Sequence, residues 1–79
     1  MIDNVKSPKH YKLDELNIEV KDVAFAVIKN IKNTKVAVCV FNVLKYVMRA
    51  EKKNGIEDYK KAIEYLQYII EEKENKVID

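Results

Sequence analysis

Apolar residues recur at helical spacing in three separate stretches of the chain. In the first stretch, from about Ile18 to Ile31, the apolar positions fit one face of a helix: Val20, Val23, Ala24, Val27, Ile28 and Ile31. Such a stripe predicts an amphipathic helix, because residues three and four apart lie on the same side of the helix axis. Asn17 is placed to cap its N-terminus.

The second stretch runs from about Lys35 to Lys53, and its first part, residues 36–41, is apolar on every side. That hexapeptide taken alone also suits a buried strand, since β-branched residues favour strands. We favour a helix, because helical spacing continues as far as Met48 and the segment is too long for one strand. Thr34 is placed to cap this helix, and Asn54-Gly55 is placed to end it.

The third stretch, from about Ile56 to Glu74, carries an apolar face of Tyr59, Ala62, Ile63, Leu66, Ile69 and Ile70. The short connection before it makes the second and third helices antiparallel neighbours. The sequence therefore predicts an all-α fold with an N-terminal arm over residues 1–12, one three-helix domain over residues 13–74 and a frayed tail over residues 75–79. A homo-oligomer is expected, because the second helix is apolar all round at its start and needs more cover than two helices provide.

Composition narrows the choice of partner and compartment. The chain has 79 residues, with 15 basic and 13 acidic side chains, so it lacks the basic excess of a general nucleic-acid binder. A lone cysteine, Cys39, excludes a disulfide within the chain, suits a reducing compartment and is expected to be a small buried residue. No signal peptide is visible, and the longest uncharged run, residues 36–44, is too short to span a bilayer. We therefore expect a cytoplasmic protein with no membrane or nucleic-acid partner.

The second half of the second helix carries the most informative polar residues. Asn42, Lys45, Tyr46 and Arg49 share one helical face, and Lys52 extends its basic edge. Arg grips phosphate through two parallel hydrogen bonds, Lys supplies a compact charge and Tyr stacks on a base, so this face suits a phosphate-bearing ligand. The alternative is an ordinary solvated helix face.

Four other residues are weaker candidates. His10 could bind phosphate or act as a general acid or base, and Tyr11 could stack on a base; the alternative is a surface loop. Glu19 and Asp22 could hold Mg²⁺, or could simply suit the positive end of the helix dipole, as could Asp58 in the third helix. No glycine-rich phosphate loop is possible, since Gly55 is the only glycine, and no zinc pattern is visible. Three tyrosines of the third helix are expected to pack in the core or between subunits: Tyr59, Tyr65 and Tyr68.

Polar residues follow a distinctive order from about Pro8 to Ile70. The order is His10-Tyr11, Ile18-Glu19 with Asp22, Asn42-x-x-Lys45-Tyr46-x-x-Arg49, Lys52 with Lys53-Asn54-Gly55, and Glu57-Asp58-x-x-Lys61-Ala62-x-x-Tyr65-Leu66. This set resembles the SaV-like family of short phage and prophage proteins, long catalogued as a domain of unknown function. The resemblance implies a phage origin and a helical, oligomeric protein. The family's polar pattern then falls on His10, Tyr11, Glu19, Asp22, Asn42, Lys45, Tyr46, Arg49, Asp58 and Lys61.

The resemblance also shapes the functional hypotheses, since the family includes a coliphage kinase of deoxynucleoside monophosphates. The favoured hypothesis is a nucleotide-binding protein that sequesters or senses a nucleotide, such as a signal of host defence. The alternative is a nucleoside monophosphate kinase without a phosphate loop, using ATP and Mg²⁺ held by Glu19 or Asp22. A further alternative is an inhibitor that binds a host protein. The chain is shorter than the kinase, and Phe41 stands where the family tends to have Gly, which would alter a pocket there.

Overall fold

Three helices make up most of the fold. The computed structural model describes residues 12–13 and 18–78, with side chains over residues 18–75. The helices are α1 (Val20–Ile28), α2 (Thr34–Arg49) and α3 (Ile56–Ile78). The predicted all-α class is confirmed, and residues 36–41 lie within α2 and form no strand. The third helix is longer than predicted, because its backbone continues past Glu74 to Ile78.

The start of α1 and the segment before it differ from the prediction. Lys12–Leu13 forms a short strand, β1, that pairs antiparallel with a second short strand, β2 (Ile18–Glu19), so the helix begins two residues later than predicted. The Asp22 carboxylate accepts a hydrogen bond from the Glu19 backbone N–H at 3.1 Å. That bond satisfies a backbone donor at the helix start. The proposed cap Asn17 and the rest of the predicted arm before Lys12 lie outside the described residues.

The start of α2 is capped by Asn33, and the prediction of Thr34 as the cap was wrong by one residue. The Asn33 side chain accepts a hydrogen bond from the Val36 backbone N–H at 3.0 Å, while Thr34 lies inside the helix. The Asn33 amide also donates to the Glu72 carboxylate at 3.0 Å, and Lys35 forms an ion pair with the same carboxylate at 3.5 Å. The cap therefore also ties α2 to α3.

The connection between α2 and α3 ends at Gly55, one of the two residues predicted to end the second helix, but α2 itself ends at Arg49 and not near Lys53. A single 3-10 turn, Ala50–Lys52, follows α2, and the Gly55 backbone N–H donates to the Ala50 carbonyl at 2.7 Å. Gly55 has φ of +53°, a left-handed conformation that suits glycine. Contacts run from Arg49–Asp58 at the turn to Asn33–Glu72 at the far end. This order confirms that α2 and α3 form an antiparallel hairpin.

The interior is small and built from small side chains. Both α1 and α3 pack against α2 and hardly touch each other. Cys39 is buried and unpaired, as predicted. Of the apolar face predicted for the third helix, Ala62 is buried, Ile69 is half-buried and the remaining members are exposed. Across the described residues, no helix is long and apolar enough to cross a membrane. Within residues 18–75, the buried apolar residues are Val20, Ala24, Val36, Cys39, Ala50 and Ala62.

Candidate functional site

Tyr46 lies at the centre of a group of aromatic and cationic side chains, which we call the Tyr46 cluster. Its ring stacks on Tyr65 of α3, with centroids 6.0 Å apart and planes inclined by 18°. The Nζ atoms of Lys45 and Lys61 lie 4.8 Å and 5.5 Å from the Tyr46 centroid. The Cζ atom of Arg49 lies 5.0 Å from it. These distances are typical of cation–π contacts.

The cluster contains residues of both α2 and α3, because the antiparallel hairpin places the end of α2 beside the first turns of α3. Lys45, Tyr46 and Arg49 share a face of α2, as the spacing predicts, and Lys61 and Tyr65 are one turn apart on α3. Tyr68 extends the aromatic surface, since its ring meets that of Tyr65 edge-on at 5.7 Å. Tyr68 is 45% exposed. The cluster is therefore open to solvent along α3.

The other predicted members of the basic face lie on either side of the cluster. Asn42 is half-buried one turn before Tyr46, and Lys52 is exposed in the 3-10 turn. Phe41 packs its ring against that of Phe25 of α1, with the two centroids 5.1 Å apart. Its bulk therefore contributes to the packing between α1 and α2. His10 and Tyr11 lie outside the described residues.

Arg49 is engaged with a buried carboxylate. Its Nε donates to Asp58 Oδ2 and its Nη2 donates to Asp58 Oδ1, each at 3.2 Å, while its side chain stays over Tyr46. Asp58 is inaccessible to solvent and also accepts from the Asn54 backbone N–H at 3.3 Å. A bidentate pair of this kind fixes geometry as well as charge. Arg49 therefore positions the hairpin and the Tyr46 ring.

The environment of Asp58 favours its ionised form. Burial raises the pKa of the carboxyl, but the Arg49 hydrogen bond, the Asn54 hydrogen bonds and the Arg49 charge together outweigh it. The pKa of Asp58 consequently lies below its ordinary value of 3.8. The interpretation of Asp58 as a simple helix-dipole acid missed this pairing. An Arg in the last turn of one helix and an Asp in the first turn of the next, joined by a short turn, is the signal that could have revealed it.

This pKa shift predicts loss of stability in acid. A carboxyl whose pKa is lower in the folded state stabilises the fold above its unfolded pKa, and that contribution disappears as the pH falls below 3.8. The urea midpoint, measured by circular dichroism from pH 6 to pH 2.5, should therefore fall steeply at the acid end. A double variant, Arg49→Met with Asp58→Leu, should show a shallower fall. Equal slopes in the two proteins would contradict the prediction.

The candidate metal ligands have partners at the start of α1. The Glu19 carboxylate forms an ion pair with Lys21 at 3.6 Å, and Asp22 accepts the Glu19 N–H. Both carboxylates therefore contact groups at the N-terminus of α1, where acidic side chains suit the helix dipole. Among the described side chains, no three potential metal ligands come together.

An open groove of about 530 Å³ lies at the opposite end of the hairpin from the Tyr46 cluster. Its lining includes Val36, Val40 and Ile69, whereas the cluster is built at the C-terminal end of α2. At about 1.5 Å per residue, Val36 lies roughly 15 Å before Tyr46 along that helix. The groove and the cluster are therefore separate features of the surface.

Comparison with known proteins identifies a family but no function. The profile of DUF3310, a family described as proteins of unknown function, matches residues 5–67. That range contains Asp58 and most of the cluster, and Tyr68 lies just beyond its end. The cluster residues within it are Lys45, Tyr46, Arg49, Lys61 and Tyr65. No curated protein and no solved structure matches the chain. Because the match covers most of the sequence, the chain belongs to the DUF3310 family.

Proposed function

We propose that the protein binds a nucleotide and sequesters or senses it without turning it over. The observation that carries this proposal is the grouping of three cationic side chains around the half-exposed ring of Tyr46. Phosphate and a base are the two chemistries that such a surface serves. The phage origin, the host cytoplasm as location and a role against host defence belong to the same proposal, which takes them from the family resemblance.

Electrostatics favours an anion at this site. The charge of Arg49 is balanced by Asp58, but Lys45 and Lys61 form no ion pair with any acid among the described residues. Both ammonium groups lie within 5.5 Å of the Tyr46 centroid, so a phosphate bound beside this ring would be attracted to each of them. Lysine stems are flexible, so both groups can leave the ring for a ligand.

The aromatic side chains supply the second half of the site. Tyr46 and Tyr65 are half-buried and stacked, and Tyr68 is exposed beside them. Stacking of a base on an aromatic ring contributes about 1–3 kcal/mol to nucleic-acid binding. We assign the tyrosines to the base, Lys45 and Lys61 to phosphate, and Arg49 to positioning.

Binding alone is favoured over phosphoryl transfer. A kinase needs a metal site and a group that orients the nucleophile. The acids considered for that purpose, Glu19 and Asp22, are both engaged at the start of α1. Asn42, Lys52, His10 and Tyr11 stay candidates for further ligand contacts.

The direct test is calorimetric titration with a nucleotide and its separate parts. The probes are ATP, thymidine monophosphate, a cyclic dinucleotide, adenosine and inorganic tripolyphosphate. At least one nucleotide should bind at least about tenfold more tightly than adenosine or tripolyphosphate, and its affinity should fall with added salt. Native mass spectrometry of the freshly purified protein would identify a retained ligand.

Two results would overturn the proposal. Absence of binding by every nucleotide probe at millimolar concentration would favour an inhibitor of a host protein. Conversion of thymidine monophosphate to its diphosphate in the presence of ATP and Mg²⁺, measured by anion-exchange chromatography, would establish a kinase instead.

A further inference from the structure

The open groove at the far end of the hairpin has a largely apolar lining. Val36 is buried, and Ile31, Val40 and Ile69 are half-buried along it. They come from three parts of the chain, namely the connection between α1 and α2, α2 itself and α3. The groove volume of about 530 Å³ lies within the range of about 300–1,000 Å³ that small-molecule sites occupy. The groove is therefore large enough for a small ligand with an apolar body.

The packing of the three helices accounts for this groove. Both α1 and α3 pack against α2 and hardly touch each other, so a gap lies between α3 and the connection of residues 29–33. The Asn33 amide donates to the Glu72 carboxylate at 3.0 Å, and Lys35 forms an ion pair with the same carboxylate at 3.5 Å. These contacts join the two sides of the groove. A site whose walls are already in place costs less to order when a ligand binds.

Positive charge accompanies the apolar lining. Lys32 and Lys73 also line the groove and are exposed, and neither forms an ion pair with an acid among the described residues. The one acid of the lining, Glu72, is already engaged with Asn33 and Lys35. A wholly apolar ligand would gain nothing from the two lysines, and a purely ionic one would gain nothing from the apolar side chains. The complement of the groove is therefore a molecule with an apolar body and one anionic group.

We propose that this groove is a second binding site, which takes a small carboxylate with an apolar body, of the class of medium-chain fatty acids. The hydrocarbon lies against Val40 and Ile69, and the carboxylate lies near the ammonium groups of Lys32 and Lys73. Removal of the hydrocarbon from water drives binding, and the two charges orient the ligand. The proposal is independent of nucleotide binding, since no residue that lines the groove belongs to the Tyr46 cluster.

Calorimetric titration with octanoate, 1-octanol and acetate tests the two parts of this chemistry. Octanoate should bind at least about threefold more tightly than 1-octanol, which lacks the charge, or acetate, which lacks the apolar body. Lys32→Gln with Lys73→Gln should abolish the preference for octanoate over 1-octanol. Lys53→Gln with Lys60→Gln removes the same charge from exposed positions that do not line the groove, and the preference should stay. Absence of octanoate binding at about 10 mM, or an unchanged preference in the first variant, would overturn the proposal.

Amide chemical shifts of the ¹⁵N-labelled wild-type protein locate the bound octanoate without any substitution. The amides of Ile31, Val40 and Lys73 should shift with increasing octanoate until they saturate. Shifts centred on Ile63 and Leu66, which are exposed on α3, would show adsorption to another apolar surface and would overturn the proposal. Shifts of the groove amides on concentrating the protein alone would show that a second copy occupies the groove, which would overturn it as well.

Discussion

Replacing Asp58 by Ala is expected to lower the melting temperature by about 15–30 °C. The substitution removes the carboxylate that Arg49 contacts through two hydrogen bonds, while Arg49, a residue only 8% exposed, keeps its charge. A buried charge without its partner is among the most destabilising changes in a small domain. It also releases the Asn54 backbone N–H at the turn. Thermal unfolding followed by circular dichroism measures the effect.

The control for this prediction is Glu57→Ala, one residue earlier on α3. Glu57 is exposed, and its loss should move the melting temperature by only a few degrees. Combining Asp58→Leu with Arg49→Met removes both charges and should recover much of the lost stability, because an apolar pair of similar size tolerates burial. If Asp58→Ala melts within about 5 °C of wild type, Arg49 does not depend on this carboxylate.

Neutralising Lys45 and Lys61 together is expected to weaken nucleotide binding about a hundredfold. Each charge-assisted hydrogen bond to phosphate contributes about 1.5–3 kcal/mol, and a factor of ten in affinity corresponds to about 1.4 kcal/mol. Gln keeps most of each side chain's length and its helix propensity, so Lys45→Gln with Lys61→Gln changes charge more than packing. Calorimetric titration with the tightest-binding nucleotide, at fixed salt, measures the loss.

The matched control is Lys29→Gln with Lys32→Gln. These lysines are exposed in the connection between α1 and α2, and their removal lowers the net charge by the same amount. Affinity should change less than about threefold, which separates local contacts from the general attraction of a positive protein. Equal losses in the two double variants would mean that the Tyr46 cluster is not the phosphate site.

Periodicity alone predicts much of this fold. Stripes at helical spacing locate all three helices, and Asn54-Gly55 locates the turn that makes α2 and α3 antiparallel. The errors lie where long-range contacts decide. The predicted first helix begins near Ile18, yet Ile18 pairs with Leu13 in a short antiparallel ladder and precedes the helix. Asn33 and Thr34 are both residue types that cap helices. In the structure Asn33 is the cap, and its amide also donates a hydrogen bond to Glu72, which is distant in sequence.

For the candidate site too, the sequence predicts the arrangement within one helix but not the contacts between helices. Spacing along α2 places Lys45, Tyr46 and Arg49 on one face, which the structure also shows. The division of labour within that face depends on α3, because Asp58 engages Arg49 while Lys61 and Tyr65 complete the cluster. A period of 3.6 residues describes one helix and holds no information about which side chains meet across a turn.

The rate at which Cys39 reacts with a thiol reagent reports how often the interior of the molecule opens to solvent. Cys39 is the only thiol of the chain and is 6% exposed at the contact surface of α2. A thiol reagent such as an aromatic disulfide reacts with it only when the surrounding helices separate. The labelling rate under native conditions therefore measures how often the interior opens. A ligand or partner that holds the helices together should lower this labelling rate. No engineered probe is needed for that readout.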